Sequence, residues 1–339
     1  MLISVCVIAK DEANSIAQLI ESVATQTVFL GHDEFEFVIV CNGCTDDTAS
    51  VAKMTLDKVF GGTKVKFRVY DTPEAGKSKS WNLAVHKILD PSADIFVFMD
   101  ADIHINDTEV IAHLLSKLSA DPNVTAVSGW PVKDAALKKR KSVLDHISLT
   151  ISSQTLPPHA VNGSLYVGLA AELRKIWLPV PTPGEDGFLS AMIHTQGFLK
   201  KPEPNRIQRA DRPTHYYETH TVAGYLRHER RITIATAING WIFEKLWEQN
   251  STAHAGNLIQ NWNERDPLWV SRLVSSKVSK KRWALPARLL TWRLGNLRGV
   301  GLKTFWIRAP LSITATILNI WPTIQANEVI KRSDAANIW

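Results

Sequence analysis

Ile95-Phe96-Val97-Phe98-Met99-Asp100-Ala101-Asp102 is the stretch on which the fold turns. Its unbroken apolar run is too short for a helix and rich in β-branched and aromatic residues, so it reads as a strand buried on both faces. The run ends on two carboxylates at i and i+2. Ligands of open α/β sheets gather beyond the carboxyl ends of the strands, so these acids are expected at a site rather than in a solvated acidic loop. Oxygen donors so spaced suit a shared hard cation, held directly or through water. Mg²⁺ or Mn²⁺ on Asp100 and Asp102 would neutralise a diphosphate as it leaves.

Working outward, the first 130 residues alternate between strand and helix signals. Strands are expected over Leu2–Ile8, Phe35–Val40, Lys64–Tyr70, Ile95–Met99 and Val124–Trp130. Helices are expected over Asn14–Gln26, Thr45–Met54, Ser78–Leu89 and Thr108–Leu118. The first of these carries apolar residues at Ile16, Leu19, Ile20 and Val23, one helical face. Such βαβα order predicts an α/β fold, with a mainly parallel sheet flanked by helices.

Other polar clusters fall at the expected strand ends. Cys41-Asn42-Gly43-Cys44-Thr45-Asp46-Asp47-Thr48 contains an Asn-Gly turn, and Thr45 or Asp46 can cap the following helix. Asn42 is expected to face a nucleotide. The Cys-x-x-Cys spacing has no second cysteine pair to complete a zinc site. Glu74-Ala75-Gly76-Lys77-Ser78 sets a glycine and a lysine at a helix start, where a phosphate can approach, although it lacks the Walker spacing. Gly184-Glu185-Asp186-Gly187 offers a carboxylate as general base; acids that only cap a helix would look the same.

The 339 residues are 45% apolar and 21% charged, with a formal net charge of +6. This excludes a disordered chain and favours an anionic partner. The three cysteines, Cys6, Cys41 and Cys44, are expected as free thiols in a reducing compartment. Met1–Ile8 meets Lys10, Asp11 and Glu12 at once, unlike a secretory signal. Ala309–Trp321 is too short to cross a bilayer. A cytoplasmic location is therefore expected.

Beyond residue 131 the alternation loosens. Lys133–Lys141 is a basic patch, and Lys200–Pro213 reads as a loop. From Pro267 to Asn327 there is no Asp or Glu, while Lys277, Lys280, Lys281, Arg282, Arg288, Arg293, Arg298, Lys303 and Arg308 recur among Trp and Leu. Basic helices bearing Trp and Leu lie readily in an anionic membrane surface. A helical subdomain whose Trp residues pack inward would show the same composition. No nucleic-acid module accompanies the charge, so no nucleic acid is expected. The expected division is a catalytic domain over 1–220, its nucleotide-sugar half 1–130 and its acceptor half 131–220, then a helical, basic, Trp-rich region over 221–339.

Five ordered motifs carry a resemblance. Val5–Ser15 (VCVIAKDEANS), Val38–Thr48 (VIVCNGCTDDT), Gly76–Val85 (GKSKSWNLAV), Phe96–Ile103 (FVFMDADI) and Gly184–Ser190 (GEDGFLS) resemble the family 2 inverting glycosyltransferases of GT-A fold, over roughly residues 1 to 200. The resemblance implies transfer of a sugar from a nucleotide-sugar donor, a UDP-sugar before a GDP-sugar, to an acceptor glycan or glycolipid in bacterial glycolipid or surface polysaccharide synthesis. It implies that Ala9, Asp11 and Glu12 line the nucleoside pocket, that Lys77 and Asn82 lie beside the diphosphate and sugar, and that Asp100, Ala101 and Asp102 hold metal and donor. Asp186 takes the place of the catalytic base. Asn42 stands where the family usually has an aspartate that reads the base. The Gln-x-x-Arg-Trp motif of processive members is absent, so no long polymer is expected. Its nearest counterpart ends in Arg230 and Arg231, either of which suits a pyrophosphate.

Two other classes share this outline. A nucleotidyltransferase making nucleotide-sugars would open with a glycine- and arginine-rich loop, unlike Ala9–Asn14. A non-catalytic nucleotide-sugar-binding protein would not need Asp100, Asp102 and Asp186 together.

Overall fold

The computed structural model describes residues 1–31, 33–142, 145–146, 149, 157–219, 221–249, 252–279, 281–297 and 301–332. Of the basic run, Lys280 and Arg298 lie outside the described residues, as do the side chains of Lys303 and Arg308.

Four strands form the parallel part of the main sheet: β1 (Leu2–Ala9), β2 (Glu34–Asn42), β3 (Lys66–Thr72) and β4 (Ile95–Asp100), in spatial order β3-β2-β1-β4. The intervening helices are α1 (Ile16–Ala24), α2 (Thr48–Phe60), α3 (Lys77–Leu83, prolonged by a wider turn to Ile88) and α4 (Val110–Ser119). Helix α1 buries Ile16, Leu19, Ile20 and Val23, the face read from the sequence. β1 is buried from Ile3 to Ala9 because helices cover both faces of the sheet.

The sheet continues less regularly. β5 (Ala126–Ser128) is shorter than the expected Val124–Trp130, and the chain then forms a separate β6 (Pro131–Lys133). β7 (Leu165–Leu169) inserts antiparallel between β4 and β5. β8 (Ile207–Arg209) pairs parallel with β5, inside the stretch read as a loop. Three residues with only Ile207 buried give no alternation to detect. β9 (His215–Tyr217) pairs with β6 to form a second, two-stranded sheet.

Helix α5 (Glu185–His194) leads into a C-terminal half that is helical among the described residues: α6 (Val222–Glu248), α7 (Ala255–Arg265), α8 (Trp269–Val278) and α9 (Leu302–Arg332). Trp241, Ile242, Trp269 and Val270 join one buried cluster with Val38, Phe96 and Phe188 of the sheet side. Arg293 and Glu229 form an ion pair at 2.6 Å, both side chains under a tenth exposed. Among the described residues no helix is long and apolar enough to cross a membrane. Ala309–Trp321 lies within α9, which runs on through Pro322.

His215 ties the small sheet to the large one. It is fully buried, with Nδ1 2.8 Å from Thr214 Oγ1 and Nε2 2.7 Å from Ser164 Oγ. Burial lowers its pKa to about 3, from 6.5. The folded protein thus keeps a neutral imidazole where the unfolded chain takes up a proton. The resulting stability is complete above pH 6.5 and is lost as pH falls from there towards 3. His215→Gln is expected to flatten that dependence by up to about 1.4 kcal/mol per pH unit. Urea melts across the window check this, and an unchanged slope contradicts it.

Candidate active site

The loops after β1 and β2 are laced together. Asp11, in the left-handed region at φ 54°, accepts the Thr45 N–H on Oδ1 at 2.6 Å. Glu12 N–H donates to Thr48 Oγ1 at 2.7 Å, Ala13 N–H donates to Asp46 Oδ2 at 3.1 Å, and Lys10 reaches the Gly43 carbonyl. The Thr45 N–H first, then Lys10, hold the Asp11 carboxyl below its usual range. Thr48 does the same for Asp46. Asp11, Cys44 and Asp46 bring ligand-type atoms within 4.8 Å of one another. All three cysteines are free, and burial pushes the Cys41 thiol up to about 12. Gly43 has φ +61°, and a Cβ there would lie 2.7 Å from the Ala75 nitrogen, so only glycine lets the second and third loops meet.

Asn42 ends β2. It is buried, and its Oδ1 accepts the Gly76 N–H at 2.7 Å and the Ser80 hydroxyl at 2.9 Å. Its oxygen therefore fixes the start of α3. A carboxylate oxygen can accept the same two bonds, which accounts for Asn or Asp serving at this position. Asn82 lies on α3. It is buried, its Nδ2 donates to the Leu178 carbonyl at 2.9 Å, and its Oδ1 accepts the Leu178 N–H at 2.8 Å. Its amide thus clamps the Leu178 backbone.

Lys77, held at the head of α3, occupies the centre. Its Nζ lies 2.7 Å from Asp100 Oδ1 and 3.0 Å from Glu185 Oε1. Burial opposes the ammonium charge, but Asp100 and Glu185 reverse that and hold its pKa above the ordinary value. Burial raises Asp100 despite the pull of Lys77, and Asp102 and Glu185 add to the rise. Glu12 is raised by burial and then by Asp102, Asp100 and Asp46, against a hydrogen bond from Ser15. Asp102 and Asp11 are exposed, and Ala9 and Ala101 are buried beneath them.

Asp186 begins α5 beside Glu185. Burial, then the Glu185 charge, lift its pKa; the Gly187 N–H at 2.7 Å, Lys77 and Arg231 pull the other way. Of the two arginines, Arg231 thus acts on Asp186 from α6, while Arg230 is half-buried one position earlier. The pocket over Lys77 is floored by Trp81, Phe98, Tyr166 and Leu189. Trp81 Nε1 donates to the Tyr166 hydroxyl at 2.7 Å, and Tyr166 stacks on Phe98 at 5.3 Å.

Residues 4–170 match the model of Glycosyl transferase family 2. Among solved structures, the mannosyltransferase PcManGT from Pyrobaculum calidifontis, in complex with GDP-Man and Mn²⁺, is 17% identical with a TM-score of 0.52, over 95% of this chain and 86% of that one. Glucosyl-3-phosphoglycerate synthase from Mycobacterium tuberculosis, in complex with Mn²⁺, UDP-glucose and phosphoglyceric acid, is 15% identical with a TM-score of 0.48, over 70% of this chain and 79% of that one. No curated protein matches the sequence. The fold is that of the GT-A nucleotide-sugar transferases. Residues 4–170 carry a family 2 glycosyltransferase domain, and the protein is a glycosyltransferase enzyme.

Sequence reading missed Gly163, Ser164 and Tyr166. Because β7 runs antiparallel to β4, its amino end meets the site, and Ser164 accepts the Asp100 N–H on its carbonyl at 3.0 Å. A search confined to carboxyl ends of strands passes over it. The clamp role of Asn82 is testable. Asn82→Ala leaves the buried Leu178 N–H unpaired, while the Leu178 carbonyl keeps the Asn263 amide at 2.9 Å, and is expected to cost about 1–3 kcal/mol of stability. Denaturant melts measure this, and an unshifted midpoint contradicts it.

Proposed function

We propose that the enzyme transfers a sugar from a nucleoside diphosphate sugar to an acceptor hydroxyl in one displacement, with inversion at the anomeric carbon. One observation carries this reading. Lys77 bridges Asp100 and Glu185, so the strand end that meets the donor and the helix that bears Asp186 share one cation. Asp186, lifted by burial and free of a direct ion pair with Lys77, takes the proton of the acceptor hydroxyl. Its raised pKa makes it a better base than an ordinary carboxylate. Arg231 and Lys77 supply positive charge beside the leaving diphosphate.

The donor set fits a divalent cation. After burial, the Asp102 charge raises both Asp100 and Glu12, and Asp100 adds to the rise at Glu12, as in a cluster of carboxylates with too little positive charge. Asp100 and Asp102 are the residues to hold Mg²⁺ or Mn²⁺, which when bound would stabilise the charge on the leaving diphosphate. The family match and the complex of PcManGT with GDP-Man and Mn²⁺ support this. UDP-sugars and GDP-sugars are the donors to test, with Ala9, Asp11 and Glu12 beside the nucleoside.

The acceptor fits a glycan or glycolipid of bacterial glycolipid or surface polysaccharide synthesis. In this reading 1–220 form the catalytic unit. The helical region 221–339 gives a cytoplasmic enzyme peripheral contact with the membrane through 267–327.

Nucleotide release from a panel of nucleotide-sugars tests the chemistry. Release is expected with Mn²⁺ or Mg²⁺ from one donor, lost with EDTA and lowered at least about 100-fold in Asp100→Asn/Asp102→Asn and in Asp186→Asn. Pyrophosphate made or consumed with a nucleoside triphosphate would instead mark a nucleotidyltransferase. Donor binding without turnover in the presence of acceptors would mark a binding protein. The pH profile tests the base. Asp186 must be deprotonated, so activity falls as pH drops through a pKa above the ordinary carboxylate value. Removing the Glu185 charge in Glu185→Gln is expected to move that acid limb to lower pH; a limb that stays or rises contradicts the assignment.

A further inference from the structure

Helix α9 is inside out. An amphipathic helix on a protein in water turns polar residues to solvent and apolar ones to the core. Here the face packed on the protein carries Ser312, Asn319, Thr323 and Asn327, all under a tenth exposed. Several of these polar groups have internal partners, whereas Asn319 Oδ1 is buried without one among the described residues. Asn327 Oδ1 accepts the Ala284 N–H at 2.8 Å, Thr323 Oγ1 donates to the Asn319 carbonyl at 2.7 Å, and Asn319 Nδ2 reaches the Leu289 carbonyl at 3.4 Å. The opposite face carries Trp306, Ile313, Ile317, Ile320, Trp321 and Ile324, with Trp306 at 69%, Ile317 at 61% and Trp321 at 59% exposure. Steps of seven, four, three, one and three residues keep these side chains on one side of the helix. They run about 27 Å along it at 1.5 Å per residue.

No charged residue occurs from Ala309 to Asn327. The charges lie at the two ends: Lys303 and Arg308 precede this tract in the sequence, and Lys331 and Arg332 follow it. Two acids adjoin the C-terminal pair in the sequence, Glu328 and Asp334, and Glu328 pairs with Arg332 at 3.2 Å. An apolar strip with Trp near each end and cations beyond both ends has the chemistry of an interfacial anchor: acyl chains for the strip, the headgroup boundary for Trp, and anionic phosphates for Lys and Arg.

A second copy of the chain fits less well. Pairing two such helices about a twofold axis, parallel or antiparallel, sets basic ends against basic ends, and the acid-free run from Pro267 to Asn327 brings no opposite charge to meet them.

We propose that the Trp306–Ile324 face of α9 is a docking surface for an anionic phospholipid bilayer, lying flat in the interface rather than crossing it. This rests on the peripheral-membrane reading above and narrows it from residues 267–327 to one helix face. α9 packs on α6, the helix that bears Arg231, so the docked surface is joined to the catalytic site through one helix. A lipid-linked acceptor would then be met from the plane in which it lies.

The test is flotation of the full chain with phosphatidylglycerol-containing vesicles and with pure phosphatidylcholine vesicles at physiological salt. Wild type is compared with Ile317→Glu/Trp321→Glu and with the milder Ile317→Gln/Trp321→Gln. Wild type is expected to float with the anionic vesicles. Both variants are expected to partition at least about tenfold less while releasing nucleotide from the donor at the wild-type rate, which shows them folded. Wild type that does not prefer anionic vesicles overturns both the membrane reading and this inference, with the transferase chemistry untouched. Variants that bind as wild type does overturn this inference alone. A concentration-dependent dimer in sedimentation velocity, abolished by the same substitutions, overturns it in favour of a second copy.

Discussion

The ammonium of Lys77 organises the site. A buried lysine survives as a cation only where carboxylates repay its lost hydration, and here Asp100 and Glu185 do so at 2.7 and 3.0 Å. The three residues come from the head of α3, the end of β4 and the head of α5. Their mutual attraction therefore fixes where the acidic strand end stands relative to Asp186. It also leaves Asp102 and Glu12 without an equivalent cation, which is the electrostatic condition for drawing in a divalent ion and a diphosphate together.

The surroundings serve that placement. Asn42 fixes the start of α3, and Gly43 allows the chain after β2 to touch the chain before α3. Antiparallel β7 brings Ser164 to hold the Asp100 backbone, and neutral His215 braces Ser164 from behind. Asn82 clamps Leu178, and so the approach to the loop that delivers Glu185 and Asp186. Polar side chains around Lys77 thus help to shape the site.

Much of this was legible from the amino acids. The parallel strands β1 to β4 showed as continuous apolar runs, and α1 as a clean 3.6-residue face, because burial on known faces writes a period into the sequence. The acidic strand end of β4 and the Gly-Glu-Asp-Gly turn were visible as chemistry in the right place. Lys77 was visible as a cation at a helix start, but its two partners were not, since pairing across 23 residues to Asp100 and more than a hundred to Glu185 leaves no local pattern. The structural bonds of Asn42 and Asn82 were hidden for the same reason: an amide looks alike whether it faces a ligand or a backbone. β7 and β8 are short, and their alternation is too brief to register. The inside-out character of α9 hid within a composition that packing and membrane contact share, and only burial, residue by residue, separates its faces.

In the proposed mechanism Lys77 stands in for positive charge that the donor complex brings. The most direct measurement is a crystal structure with Mn²⁺ and a nucleoside diphosphate, the ion located by its anomalous scattering. The account predicts the manganese on Asp100 and Asp102, with Lys77 moved from Asp100 towards a diphosphate oxygen. Manganese on Asp11, Cys44 and Asp46, with Lys77 still bridging Asp100 and Glu185, would contradict it.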